Sequence, residues 1–209
     1  MLRLHDYWRS SAAYRVRIAL ALKGVPHERV PVDLVAGEQR GEENRAVNAQ
    51  GLVPSLVLPD GTALTQSLAI LQWLDEAYPE PRLWPADPVA RAQATAQALL
   101  VVADVHPLNN LRVLKRLETQ FGADQAAKDE WYRHWIALGF DALEAMADGP
   151  GPFLGGDAPS VADVCLVPQM FNARRFDVPL EAYPRLVAAD AAATALPAFQ
   201  AAHPDRARP

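Results

Sequence analysis

Cysteine is nearly missing: Cys165 is the single one in 209 residues. Neither a disulfide framework nor a cysteine metal cluster can be built from it, which fits a reducing compartment and sets a cytoplasmic location as the expectation. Long hydrophobic runs are missing too. No stretch reaches the about 18 apolar residues that a membrane-crossing helix needs. The opening Met1-Leu-Arg-Leu-His-Asp carries charge where a secretory leader needs an apolar core. There is no excess of positive charge: Lys and Arg total 20 against 25 Asp and Glu, for a net charge of -5. A mildly acidic chain has no electrostatic reason to bind nucleic acid or an anionic membrane, so neither is expected as a partner. No internal repeat stands out. What is present is 50% hydrophobic and 22% charged composition, enough for one large domain or two small ones with real cores, and unlike a disordered chain.

The character of the chain changes near residue 80. The stretch Tyr78-Pro-Glu-Pro-Arg-Leu-Trp-Pro-Ala-Asp-Pro88 holds four prolines, which lack an amide donor and disfavour helix just ahead of them. A linker is expected at 79–88, between a domain over 1–82 and another over 88–209. Before the linker, Leu2-Arg-Leu-His alternates as a half-buried strand does. Ser11 to Lys23 reads as a helix closed by Gly24 and Pro26. Arg29 to Val32, Ser55 to Leu58 and Ala63 to Thr65 read as strands, with Pro59-Asp-Gly-Thr as a turn. Leu68 to Tyr78 reads as a helix with Ser67 as its cap. The order is β-α-β-(short helix)-β-β-α, an α/β domain. After the linker the chain is all-helical, with helices expected at 88–119, 123–147, 161–174 and 183–194 and a short one at 197–202. Ser160-Val-Ala-Asp163 forms a capping box with Asp in place of the usual Glu.

Three features in the first domain carry chemistry. Arg9-Ser10-Ser11 marks the junction of the first strand and helix. A helix start offers free amides and partial positive charge that stabilise an anion such as a thiolate, and a nearby hydroxyl donor lowers the thiol pKa further. The plain alternative is that Ser10 or Ser11 caps the helix. Val53-Pro54-Ser55 precedes a strand. A cis peptide there would turn the Val53 backbone outward to pair with a peptide-like ligand; the plain alternative is an ordinary trans proline. Gln66-Ser67 opens the next helix, where the hydroxyl and the amides can hold a carboxylate, or Ser67 can simply cap.

Taken in order, Ser-Ser, Val-Pro and Gln-Ser form the glutathione-site pattern of the glutathione transferases. The segment Arg9-Ser-Ser-Ala-Ala-Tyr-Arg-Val-Arg-Ile-Ala-Leu20 resembles the zeta-class signature Ser-Ser-Cys-x-Trp-Arg-Val-Arg-Ile-Ala-Leu. Asn48-Ala-Gln-Gly-Leu-Val-Pro54, Gln66-Ser-Leu-Ala-Ile-Leu-Gln-Trp-Leu74, His106-Pro-Leu-Asn-Asn110, Leu166-Val-Pro-Gln-Met170 and Ala173-Arg-Arg-Phe-Asp-Val178 extend the likeness over nearly the whole chain. Ala12 stands where the signature often has Cys, so a protein thiol is absent at that point.

The resemblance implies an α/β thioredoxin-like N-terminal domain followed by an all-α C-terminal domain. It implies an enzyme of the maleylacetoacetate isomerase family, using glutathione as cofactor. The sulfur adds to a cis double bond, the bond rotates, and elimination restores a trans alkene. On that likeness Ser10, with Ser11 beside it, stabilises the thiolate. Val53 pairs by its backbone with the cysteinyl part, with Pro54 cis. Gln66 and Ser67 hold the γ-glutamyl carboxylate, and Gln39 lies near the glycyl end. Asp104 and His106 reach the neighbouring subunit's glutathione in a homodimer. The substrate is a small dicarboxylate, which calls for cations. Arg9, Arg112 and Arg175 are the candidates, with Arg174 as the adjacent alternative, because Arg forks match carboxylates. Nearby activities on the same likeness are maleylpyruvate isomerisation, glutathione conjugation and haloacid dehalogenation; a non-catalytic scaffold is the reading from another class. A thioredoxin-type redox enzyme is excluded, since the first domain has no cysteine. Trp131 and Trp135 are expected on one helix face, Cys165 in packing, and Arg15 and Arg17 facing solvent or ion-paired.

Overall fold

The alternating N-terminus forms β1 (Leu2–Asp6), and β1 becomes an inner strand of a sheet in the order β2-β1-β3-β4. It pairs parallel with β2 (His27–Pro31) and antiparallel with β3 (Ser55–Val57), which pairs antiparallel with β4 (Ala63–Thr65). A parallel pair needs a crossover, and α1 (Ser11–Leu22) supplies it. Pro31 falls on the edge strand β2, where a missing amide donor is tolerated. A 3₁₀ turn (Glu38–Arg40) and α2 (Glu42–Val47) link β2 to β3. After β4 comes α3 (Ser67–Ala77). The computed structural model describes residues 1–147 and 149–208.

The register decides where the chemistry goes. His5 faces Ser55, and Ser55 faces Thr65. The residues just past β1, just before β3 and just past β4 therefore lie at one end of the sheet. These are Trp8–Ser11, Val53–Pro54 and Gln66–Ser67. The core beneath them is apolar: Leu4, Val16, Ile18, Leu20, Leu56, Ile70, Leu71 and Leu74 are all fully buried.

A charged group is buried in the same unit. Asp6 has no exposed surface and pairs with Arg17 Nη1 at 2.6 Å and Arg29 Nη2 at 2.8 Å. Arg17 Nε donates to the Ala202 carbonyl, and Arg17 Nη2 to the Trp8 carbonyl, each at 3.0 Å. Arg29 Nη2 donates to the Ala207 carbonyl at 2.7 Å. The alternative of a solvent-facing Arg15 and Arg17 is corrected here: the two are 1% and 4% exposed. Helix α1 is buried from Ala13 to Leu20, so it offers no wet face to either arginine.

The chain divides into two compact units, Trp84–Thr194 and Met1–Leu83 joined by the segment from Ala195 onward. The sequence placed that last segment in the helical domain. Instead, α9 (Pro197–Ala202) packs on α1, and α10 (Pro204–Ala207) follows it.

In the second unit α4 (Pro88–Leu99) starts on Asp87, whose carboxylate accepts from the Val89 and Ala90 amides. The long helix expected over 88–119 is broken. It widens into a π segment (Leu100–Val105) and ends in turns at 106–110 before α5 (Leu111–Phe121). Pro107 explains the stop, since it has no amide to give. The Leu108 carbonyl is met instead by Trp131 Nε1 at 2.9 Å from α6 (Gln125–Met146). Trp131 and Trp135 share a face as expected, with ring centroids 5.6 Å apart. Gly139 is needed on α6: a Cβ there would sit 2.2 Å from Val105 Cγ2 of the π segment. The helix α7 (Val161–Arg175) runs buried through the unit, Cys165 included. It opens on the expected capping box, in which Asp163 accepts from the Ser160 and Leu154 amides at 2.8 Å each. Burial raises the Asp163 pKa while those amide donors pull it down. α8 (Pro184–Thr194) closes the unit.

Removing one member of a buried ion pair strands its partners. Asp6→Ala is expected to cost about 3–5 kcal/mol, seen as a lower urea midpoint. Asp205→Ala, at a 75%-exposed carboxylate, should stay within about 0.5 kcal/mol of the parent.

Candidate functional site

Ser10 is the N-cap of α1, with extended backbone, and its Oγ accepts from the Ala13 amide at 3.2 Å. The capping alternative is thus realised. It does not exhaust the residue, because a serine hydroxyl that accepts one bond still has its own O–H to donate. Accepting from a backbone amide strengthens that donor. Ser10 is half-buried, while Ser11, the first helical residue, is 7% exposed. Arg9 beside them is exposed; its Nη2 lies 3.3 Å from the Tyr7 hydroxyl and its guanidinium 4.9 Å from the Trp8 ring.

The Val53–Pro54 peptide is cis. The Val53 side chain is buried, and neither its amide nor its carbonyl makes a backbone hydrogen bond among the described residues. The segment ahead is pinned by Asn48 Nδ2, which donates to the Leu52 carbonyl at 2.9 Å, with Asn44 Nδ2 at 3.4 Å from the same oxygen. A backbone with unused groups at the end of a sheet is a template for one more extended strand.

The expectation that Ser67 caps the next helix is corrected. Gln66 occupies the N-cap at φ 69° and ψ 117°, with no side-chain cap, and Ser67 is the first helical residue. A glutamine at positive φ costs about 1–3 kcal/mol and persists where its surroundings hold it. Here Gln66 Nε2 donates to Gln50 Oε1 at 2.8 Å. The start of α3 therefore keeps its amides clear of any side-chain acceptor of its own, which is the arrangement that binds an anion. Ser67 is 3% exposed, and its Oγ accepts from Arg15 Nη1 at 3.1 Å.

Gln39 sits in the 3₁₀ turn after β2, and β2 runs parallel to β1. Its side chain is 9% exposed and its Oε1 has no hydrogen-bond donor among the described residues. One end of this sheet thus gathers Ser10, Ser11, Val53, Pro54, Gln66 and Ser67. A hydroxyl, an unpaired peptide unit and an uncapped helix start suit an extended peptide that carries a thiol and a carboxylate.

Asp104, His106, Arg112 and Arg175 belong to the second unit. Asp104 is exposed on the π segment, and His106 is half-buried in the turn that follows. Arg112 is exposed at the start of α5, where Asn110 caps the helix through the Arg112 amide at 3.1 Å. Arg174 and Arg175 divide their work. Arg174 Nη2 is held by Asp190 at 2.6 Å, whereas Arg175 is exposed with its guanidinium 4.7 Å from the Phe176 ring. Phe176 stacks on Tyr132 at 3.7 Å. Burial pushes the Tyr132 phenol up to about 12, with the Arg175 charge pulling the other way. Arg175 is the one of the two left without a carboxylate among the described residues.

Sequence reasoning missed the supports. Arg15, Asn44, Asn48 and Gln50 hold the site in place, and none was singled out for that. The signal for Arg15 was available: a long cation in a helix apolar on every side has to find a buried partner.

Two family models match: the glutathione S-transferase N-terminal domain over residues 9–77 and the C-terminal domain over 111–189. A maleylacetoacetate isomerase of Rhizobium meliloti is 50% identical over 208 residues, 99% of this chain and 97% of that one. A solved structure described as the holo form of maleyl pyruvate isomerase, a bacterial zeta-class glutathione S-transferase, is 45% identical, covers 99% of this chain and 98% of its own, and superposes with a TM-score of 0.95. A maleylacetoacetate isomerase from Anaeromyxobacter dehalogenans, solved with bound GSH in the active site, is 48% identical with a TM-score of 0.89, covering 99% of this chain and 96% of that one. The same enzyme has also been solved with dicarboxyethyl glutathione and citrate in the active site. Identity of this extent, over essentially the full length of each chain, means that the protein belongs to the glutathione S-transferase family, in its zeta class.

Proposed function

We propose that the protein is a glutathione-dependent cis–trans isomerase that converts maleylacetoacetate to fumarylacetoacetate. The observation that carries the reading is the gathering, at one sheet end, of the Ser10 hydroxyl, the unpaired Val53 backbone and the uncapped start of α3. Glutathione, when bound, supplies a sulfur nucleophile that releases the double bond to rotate and is then regenerated.

The chain's own residues bind, orient and neutralise. Ser10 donates its O–H to the sulfur and, with the positive end of α1, keeps it ionised. Ser11 is the neighbouring second choice. Val53 pairs by amide and carbonyl with the cysteinyl unit, beside Pro54. Gln66, Ser67 and the α3 amides hold the γ-glutamyl carboxylate. Gln39 lends its buried side chain at the glycyl end. Arg9, Arg112 and Arg175 are assigned to the carboxylates of a small dicarboxylate substrate. Of these, Arg175 has the strongest support, since its neighbour Arg174 is occupied by Asp190. Asp104 and His106 serve the partner subunit's glutathione in a homodimer. With Ala12 in place of the family cysteine, the sulfur comes from the cofactor alone. A cytoplasmic location fits the lone buried thiol, and no helix among the described residues is long and apolar enough to cross a membrane.

Maleylpyruvate is the second substrate to consider, because the relative superposing at a TM-score of 0.95 is a maleyl pyruvate isomerase. Both cis acids should be assayed with and without glutathione. Turnover that needs glutathione without consuming it supports the reading, a conjugate as product defeats it, and the larger kcat/KM names the substrate.

Ser10→Ala should lower kcat by about 100-fold, as loss of one donor to a reacting anion does. Its sign with pH is fixed: without that donor the bound thiol ionises at higher pH, so the variant's activity should recover as pH rises. Arg175→Met should raise KM about tenfold with kcat little changed. Arg174→Met should instead lower thermal stability and leave KM alone.

A further inference from the structure

We propose that Arg15 is a positioning residue for the carboxylate site at the start of α3: it aims the Ser67 hydroxyl and adds a buried positive charge behind it. The proposal rests on the reading of that helix start as the place where the γ-glutamyl carboxylate binds.

Arg15 is 1% exposed in the middle of α1. Taking a guanidinium out of water is costly unless something nearby uses its charge. Its Nη1 donates to Ser67 Oγ at 3.1 Å. Ser67 is itself buried and is the first residue of a helix that has no side-chain cap.

The geometry then settles the direction of one proton. A serine hydroxyl has a single O–H and two lone pairs. With Arg15 donating into one lone pair, the Ser67 O–H is turned away from the guanidinium and is left to donate elsewhere. The positive end of the α3 dipole and the Arg15 charge act on the same spot. An anion there meets an oriented hydroxyl, open amides and a cation held one atom behind the contact. Solvent screens such a charge little, because Arg15 is shut away from water. A hydroxyl without that donor behind it would be free to rotate, and the site would have to order it on binding.

The test compares two tripeptides by calorimetric titration: glutathione, and γ-aminobutyryl-cysteinyl-glycine, which lacks only the glutamyl α-carboxylate. The readout is the ratio of their dissociation constants. Arg15→Gln should lower the preference for glutathione by about tenfold while leaving the Kd of the decarboxylated tripeptide within about twofold. Arg15→Lys, which keeps the charge but not the planar fork, should lower it only about threefold; it decides the matter alone if Arg15→Gln does not fold. An unchanged ratio in the folded variants overturns the proposal. So does an equal loss of affinity for both tripeptides, which marks Arg15 as a packing residue. Equal binding of the two tripeptides by the unaltered protein removes the carboxylate site itself, and the role of Arg15 with it.

Discussion

The turn from β1 into α1, where the proposed thiolate site begins, is anchored to one buried carboxylate. Asp6 ends β1, and its two oxygens are taken by Arg17 from α1 and Arg29 from β2. Charges this deep are stable only when their remaining hydrogen-bonding capacity is met. Here it is met by main-chain oxygens: Trp8 and Ala202 for Arg17, and Ala207 for Arg29. Each of those carbonyls belongs to a segment with no strand partner to hold it. Burial, with the nearby Arg29 charge, lowers the Arg17 pKa, and the Asp6 charge offsets part of that. The network therefore does what apolar packing cannot: it fixes the direction in which the chain leaves β1. Trp8 is two residues ahead of Ser10, so the same guanidinium that neutralises Asp6 sets where the proposed thiolate donor begins. It also explains why the last segment returns to the first unit, since without it the buried Arg17 would lose an acceptor.

The second unit solves its own placement problem by shape. Asp163 ties the loop before α7 to the start of that helix. Gly139 lets α6 approach the π segment to a distance that a single added methyl group would forbid. The extra residue that a π turn takes up shifts the phase of everything after it. Asp104, within the π segment, is exposed just before the helix stops at the Pro107 turn. At the other end of α7, adjacent arginines point to different fates because Asp190 takes only one of them.

Much of this was legible in the sequence, and the reasons are specific. Strand alternation, the Ser160–Asp163 box and the proline-rich stretch are local signals whose physics does not depend on distant residues, and β1, β3, β4, the α7 start and the end of α3 fall within a residue of where the sequence puts them, whereas β2 starts two residues earlier than expected. The three short site motifs were each ambiguous alone. They became informative through the β1-β3-β4 register, a long-range property that only their order along the chain hinted at. What stayed hidden was long-range in a stricter sense. The return of the segment from Ala195 depends on Arg17 and Arg29 finding the carbonyls of Ala202 and Ala207, more than 170 residues away by the spacings of 185 and 178. The break at 106–110 is masked because the runs 94–100 and 111–118 on either side are rich in good helix formers, and propensity summed over a window conceals one missing donor. Serine's preference for the cap position points to Ser67; the backbone of Gln66, turned to positive φ, takes the place instead.

That last displacement is what separates the two helix starts of the first unit. Both α1 and α3 begin at the same end of the sheet, and both present serine in their first turn. At α1 a serine also stands one residue earlier than the first helical position held by Ser11: Ser10, in the cap, has its oxygen committed to the Ala13 amide and keeps its own O–H to donate. At α3 the serine is inside the helix, its oxygen is committed to Arg15, and the cap has no side-chain acceptor. The first arrangement leaves a single polarised donor, which suits one soft atom such as a sulfur. The second leaves a donor together with several amides and a buried cation, which suits a hard anion with two oxygens. One residue of phase between Ser10 and Ser67, relative to the helices they open, separates the two anion sites proposed for the same side chain.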